Sequence, residues 1–142
     1  MKFENPSHDQ IAALLRSAHN IAVIGLSADP SRPSYGVARC MQRYGYRIFP
    51  VTPQSTEILG EPTHPDLAAL VASMPEGERI DIVDVFRRSE HVSAIADECI
   101  RLHLPALWLQ LDVIDAAAAQ RAQAAGIFTV MDRCIYRERA AL

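Results

Sequence analysis

Arg32, Arg87 and Arg88 carry the strongest chemical signal in this 142-residue sequence, because each stands just before a stretch that reads as a helix. The positive end of the helix macrodipole disfavours a cation there by a few tenths of a kcal/mol to about 1 kcal/mol. An anion sharing the site reverses that balance, since free backbone N–H groups and forked guanidinium donors both suit phosphate. The alternative is that the arginines face solvent or pair with Asp29, Asp84 or Glu90. Around Arg32, the stretch "GLSADPSRPSYG" adds the hydroxyls of Ser27, Ser31 and Ser34. Gly25 ends an apolar run, where a Cβ would crowd an approaching ligand or where the chain simply turns tightly. Ser34 is expected to cap the helix that begins at Tyr35.

Other chemistry finds less support. His8 and His19 flank a first helix, His64 lies near a weak strand, and His91 and His103 share one helical stretch. None is spaced against a Ser, Cys or carboxylate as nucleophile and base would be, so all five read as surface histidines. Asp81 and Asp84 in "IDIVDVF" are three apart on a strand pattern, which sends them to opposite faces and prevents a shared proton or metal. A phosphoacceptor domain would end its first strand in acidic residues, where "GLS" stands instead. Cys40, Cys99 and Cys134 are far apart and form no CxxC pair, which suits reduced thiols in a cytoplasmic protein. Cys40 and Cys99 fall in helical patterns and, like Trp108, read as core.

The elements that must place these residues follow from periodicity. "NPSHDQIAALLRSA" opens with Ser7 and Gln10 in capping-box spacing, and Ile11, Leu14, Leu15 and Ala18 form one apolar stripe. Short, nearly continuous apolar runs follow at residues 21–26, 46–51, 80–86, 106–111 and 127–131, as expected of strands covered on both faces. Between them, residues 34–44, 65–73, 89–103 and 113–125 read as helices, with Gly45 and Gly126 as stops. A weak strand near 60–64 brings the count to six. The expected fold is α/β: a Rossmann-like, doubly wound, mainly parallel sheet of five or six strands in the order 3-2-1-4-5-6, with helices on both faces. One domain spans 1–142, with 1–19 as a helical N-terminal extension and 132–142 as a C-terminal tail.

Composition narrows the partners. Fourteen basic against 17 acidic side chains give a net charge of −3 without a long run of one sign, which argues against nucleic acid or a membrane surface as partner. No apolar run approaches the roughly 20 residues that span a bilayer, and "MKFENPSHDQ" lacks the apolar core of a signal peptide. In a doubly wound sheet the ligand lies where strand order reverses, between the first and fourth strands. That rule nominates the loops 25–35 and 87–89, walled by "VTPQS" and "LQLD". A dinucleotide site would have further glycines in the first loop and an acidic residue after the second strand. This sequence has Pro30 and Pro33 in the loop and Thr52, Pro53 and Gln54 after the strand, so a standard NAD site is not expected.

The stretches "GLSADPSRPSYGVA", "YRIFPVTP", "EILGEPTHPDL", "DIVDVFRRSE", "LWLQLDVIDAAAAQRAQAAG" and "VMDRC" resemble the small stand-alone CoA-binding domain proteins, over roughly residues 10–137. Those are similar in turn to the N-terminal CoA-binding domain of the succinyl-CoA synthetase α subunit. The resemblance implies a Rossmann-like fold that binds coenzyme A, with no established reaction for single-domain members. By position it implies that Gly25, Ser27, Pro30, Arg32, Ser34 and Tyr35 form the loop around the CoA phosphates. It further implies Thr52 and Pro53 beside the adenosine end, Phe86, Arg87 and Arg88 in the fourth-strand loop, and Gln110 near the pantetheine path. Many relatives carry a basic residue where Gln54 stands, so the grip on the 3′-phosphate should be weaker here. The synthetase reaction needs a phosphorylatable histidine in a second domain and a nucleotide-binding partner, both outside this sequence. The expectation is therefore a binder of coenzyme A or acyl-CoA with no metal and no catalytic set of its own. Its alternatives are a synthetase subunit completed by another chain, an atypical NAD(P) oxidoreductase, and a scaffold working through protein contacts of "IYRERAAL". Self-association or a protein partner stays open.

Overall fold

Apolar runs that cannot leave either face in water become the middle layer of the molecule. The computed structural model describes residues 2–142. Strands β1 (Asn20–Ile24), β2 (Arg47–Val51), β5 (Ile82–Val85), β6 (Ala106–Leu109) and β7 (Phe128–Val130) form one parallel sheet in the order β2-β1-β5-β6-β7. Val23 lies opposite both Pro50 and Asp84 in the register. Alternation along each strand divides the core in two. Ile21, Val23, Ile48, Ile82 and Trp108 pack with helices α1 (His8–Ser17), α2 (Pro33–Arg43) and α6 (Ile135–Ala140). Ala22, Val83, Val85, Leu107 and Leu109 pack with α3 (Leu67–Ser73), α4 (Val92–Arg101) and α5 (Ala116–Ala124). The fold is thus Rossmann-like, with helices on both faces.

The sixth strand does not form. Residues 57–62 make a separate antiparallel hairpin of β3 (Glu57–Ile58) and β4 (Glu61–Pro62), and only His64 reaches the main sheet, through a parallel bridge to Val51. Pro62 lacks the N–H that would extend that bridge on one side, and on the other Asp66 already caps α3, so the ladder cannot propagate. The main sheet therefore keeps five members of the expected order. Pro50 is accommodated because β2 is the outer strand of the sheet.

Helix starts differ in one consequential place. Ser7 and Gln10 form the expected capping box on α1, at 3.2 and 2.9 Å. Helix α2, however, begins at Pro33 with Arg32 as its N-cap, so Ser34 is not the cap; proline is preorganised for the first helical position. The expected long helix 89–103 is split into a 3-10 turn, Ser89–His91, and α4, with His103 beyond its end. Within 132–142, α6 is docked by two side chains of the β6 end. Trp108 donates from Nε1 to the Arg133 carbonyl at 2.8 Å, and Gln110 Oε1 accepts from the Ile135 N–H at 3.0 Å. Among the described residues, no helix is long and apolar enough to cross a membrane.

Candidate anion-binding cleft

Neighbouring strands β1 and β5 send their chains to opposite faces, one into α2 and the other into α4, and the divergence opens a cleft beyond their carboxyl ends. Its volume is about 710 Å³. Gly25, Ser27, Arg32, Thr52, Pro53, Phe86, Arg87 and Arg88 come together along it, as do Asp29 and Gln54. Pro30, Ser34, Tyr35 and Gln110 do not line it. Gln110 is turned onto the start of α6, because that buried N–H needs an acceptor. Ser34 is buried, and its Oγ accepts from the Ser27 N–H at 3.0 Å.

The loop after β1 is braced from within. Ser27 Oγ accepts from the Asp29 N–H at 3.0 Å, and Asp29 Oδ1 accepts from the N–H and the hydroxyl of Ser31 at 2.9 and 2.8 Å. The hydrogen bond from the Ser31 N–H, then that from its hydroxyl, holds the Asp29 carboxyl below its ordinary range, with Arg32 adding a smaller pull. The cleft thus carries one fixed negative charge at its rim, a feature the sequence reading treated only as a partner for arginine. The signal was present as an Asx turn, Asp29-Pro30-Ser31.

Among the described residues, Arg32, Arg87 and Arg88 make no ion pair with a carboxylate. Their three suggested partners are otherwise engaged: Asp29 with Ser31, Glu90 3.8 Å from His91, and Asp84 sealed in the sheet. No side chain caps α2. Positive charge without a carboxylate partner therefore faces the cleft from both of its loops.

Gly25 makes the tight turn that was one of its two expected parts, and it also lines the cleft. Its φ of +81° excludes most side chains, and a Cβ built there would lie 2.9 Å from Cδ of Arg87. The close approach at Gly25 is made by the arginine stem, which lies across the strand end. Gly25→Ala should therefore lower stability by about 1–2 kcal/mol for the left-handed backbone and should push Arg87 aside. A urea melt showing an unchanged midpoint would contradict this. Arg87 also borders a neighbouring groove of about 290 Å³, lined largely by apolar residues such as Ile24, Leu67 and Ile95.

Reactive groups lie elsewhere. Burial, and then the neighbouring Glu98, pushes the Cys99 thiol up to about 12, which leaves it protonated. Cys134 is buried at the start of α6, and Cys40 is half-buried on α2. Asp81 accepts from the N–H groups of His19 and Asn20 at 2.9 Å, at the far end of the sheet from the cleft. Asp84 is 2% exposed, and desolvation raises its carboxyl well above the usual range. Of the histidines, His91 lies at the surface as expected, and its Nε2 is 3.1 Å from Arg87 Nη2. No group of three or more metal-ligating side chains gathers among the described residues.

An open, doubly wound sheet with a cation-lined cleft at its strand switch defines a Rossmann-like domain. The chain belongs to the CoA-binding domain family, which it matches over residues 19–140. It is 38% identical over 133 residues to the uncharacterized protein YneT of Bacillus subtilis (strain 168), covering 93% of each chain. The solved structure of ID.343 from Thermus thermophilus superposes with a TM-score of 0.85 at 32% identity, covering 96% of this chain and 98% of that one. The dinucleotide forming acetyl-coenzyme A synthetase 1 of Ca. Korarchaeum cryptofilum shares the fold at a TM-score of 0.63 and 20% identity; 82% of this chain matches 27% of that chain.

Proposed function

We propose that this chain binds coenzyme A or an acyl-CoA in the cleft beyond β1, β2 and β5, without catalysis of its own. The observation that carries the reading is the convergence of Arg32, Arg87 and Arg88, unpaired with any carboxylate among the described residues, on a cleft of about 710 Å³ beside the uncapped start of α2. Coenzyme A has a pyrophosphate and a 3′-phosphate, and forked donors with open backbone amides suit both. In this reading Arg32 meets the pyrophosphate, and Arg87 and Arg88 meet phosphate from the opposite wall. Thr52 and Pro53 flank the adenosine end, and uncharged Gln54 leaves the 3′-phosphate less firmly held. Gly25, Ser27 and Phe86 complete the walls, while Pro30, Ser34 and Tyr35 shape the loop from outside. Gln110 acts through α6 and has no direct contact with the ligand. Family membership points to the same ligand.

A second reading, a synthetase subunit completed by a partner chain, is supported by the fold shared with about a quarter of the acetyl-coenzyme A synthetase. An NAD(P) site is disfavoured, because Thr52-Pro53-Gln54 offers no carboxylate to ribose hydroxyls. Three unpaired thiols support a reducing, cytoplasmic setting.

Melting temperatures with coenzyme A, acetyl-CoA, NAD, NADP and ATP separate these readings. A ligand at about 100 times its Kd adds about 2.7 kcal/mol, a rise of several degrees for a domain of this size. Coenzyme A and acetyl-CoA are expected to give that rise. A rise with NAD alone would overturn the assignment.

A further inference from the structure

Arg87 is held by more than its own strand end. Its stem covers Gly25, and its Nη2 lies 3.1 Å from Nε2 of His91. A guanidinium has only donors, so a hydrogen bond in this contact requires Nε2 as acceptor, which is the Nδ1–H tautomer of a neutral imidazole. The same Nε2 lies 3.8 Å from Oε1 of Glu90. One nitrogen thus faces two partners that demand opposite protonation states. Arg87 also forms the wall shared by the polar cleft and the apolar groove beside it.

We propose that His91 is a proton-operated latch on Arg87 that sets the affinity of the cleft for phosphate groups. Neutral His91 accepts from the guanidinium and ties it to the turn before α4, where it is not free to turn toward an anion. Protonated His91 has no lone pair left for Arg87, repels it, and donates to Glu90 instead. Arg87 is then free to meet an anion. The charged groups around His91 are Arg87, Arg88 and Glu90 on its own turn, Glu98 further along α4, and Asp66 at the start of α3. Histidine is the side chain that ordinarily changes charge between pH 5 and 8, and the test spans that range.

Two measurements test the latch. The first rests on the coenzyme A reading: calorimetric titration of coenzyme A into wild type and His91→Gln at pH 6 and pH 8. The glutamine amide can accept from Arg87 but takes up no proton, and titration of the ligand's own phosphate is common to both proteins. The gain in affinity from pH 8 to pH 6 should be about threefold larger for wild type, the scale of a half-exposed charge contact. Equal gains overturn the proposal. The second needs no ligand: imidazole ¹⁵N spectra at pH 8 should give His91 as the Nδ1–H tautomer, shifted by Arg87→Ala and unmoved by Arg88→Ala. His91 signals indifferent to Arg87→Ala also overturn it. Should coenzyme A bind at neither pH while the His91 signals respond, the ligand assignment falls and the latch stands. The same pH comparison with inorganic pyrophosphate then decides whether the latch governs anion affinity.

Discussion

Arg88→Ala and Arg87→Ala should each weaken coenzyme A binding by about 1–3 kcal/mol, roughly 5- to 150-fold in Kd, if the guanidinium groups meet phosphate in the partly enclosed cleft. Both side chains line the cleft from the β5 end, and among the described residues neither is engaged by a carboxylate, so the alanine variants remove cation without orphaning an acid. The fold should survive, because both residues are exposed and the apolar core does not include them. The two variants should nevertheless differ in their pH behaviour. Arg88→Ala keeps the contact between Arg87 and His91, whereas Arg87→Ala removes both the phosphate ligand and the group that His91 holds. Calorimetric titration with parallel melting curves checks the prediction. Unchanged Kd values in both variants would remove the arginines from the binding site.

Asp84→Val should stabilise the protein by about 1–3 kcal/mol at pH 7, a rise in melting temperature of roughly 3–10 °C. Asp84 occupies a core position of β5, between Val23 and Trp108 on the adjacent strands, and its Oδ1 has no hydrogen-bond partner. Desolvation raises its carboxyl well above the ordinary range, so the folded state holds a proton that the unfolded chain releases near pH 4. The sign follows from that difference in bound protons. Above the unfolded value, stability falls as pH rises, until the raised folded value is reached. The advantage of Asp84→Val should therefore be small near pH 4 and grow toward neutrality. Asp84→Asn should flatten the pH dependence with a smaller gain, since an amide there is also short of partners. Urea melts at pH 4.5 and 7.5 decide the matter; a difference between wild type and Asp84→Val that stays constant with pH contradicts a buried, proton-holding acid.

How far the molecule could be read from its residues depends on the range of the forces involved. The runs at 21–26, 80–86 and 106–111 announce doubly covered strands, because a residue buried on either face must be apolar whatever its neighbours are. The capping box at Ser7 and Gln10 is legible for a similar reason: both partners lie within one turn. Alternation of strands and helices then places the cleft at the strand switch before any contact is known. The sixth strand does not form because Pro62 removes the donor before His64 and Asp66 caps α3 two residues after it.

Side-chain direction at the cleft obeys longer-range contacts. Ser34 has the composition of a cap, yet Pro33 takes the first helical position and the hydroxyl turns to the Ser27 N–H. Gln110 ends its strand as expected, but the N–H of Ile135, 25 residues on, claims its carbonyl. Gly25 reads as room for a ligand or as a tight turn, and Arg87, 62 residues later, lies against it and reaches on to His91. Periodicity encodes which residues leave water, and so fixes layers, strands and the place of the cleft. The orientation of a polar side chain is chosen by whichever donor or acceptor the completed fold brings within about 3 Å, and no local pattern records that choice.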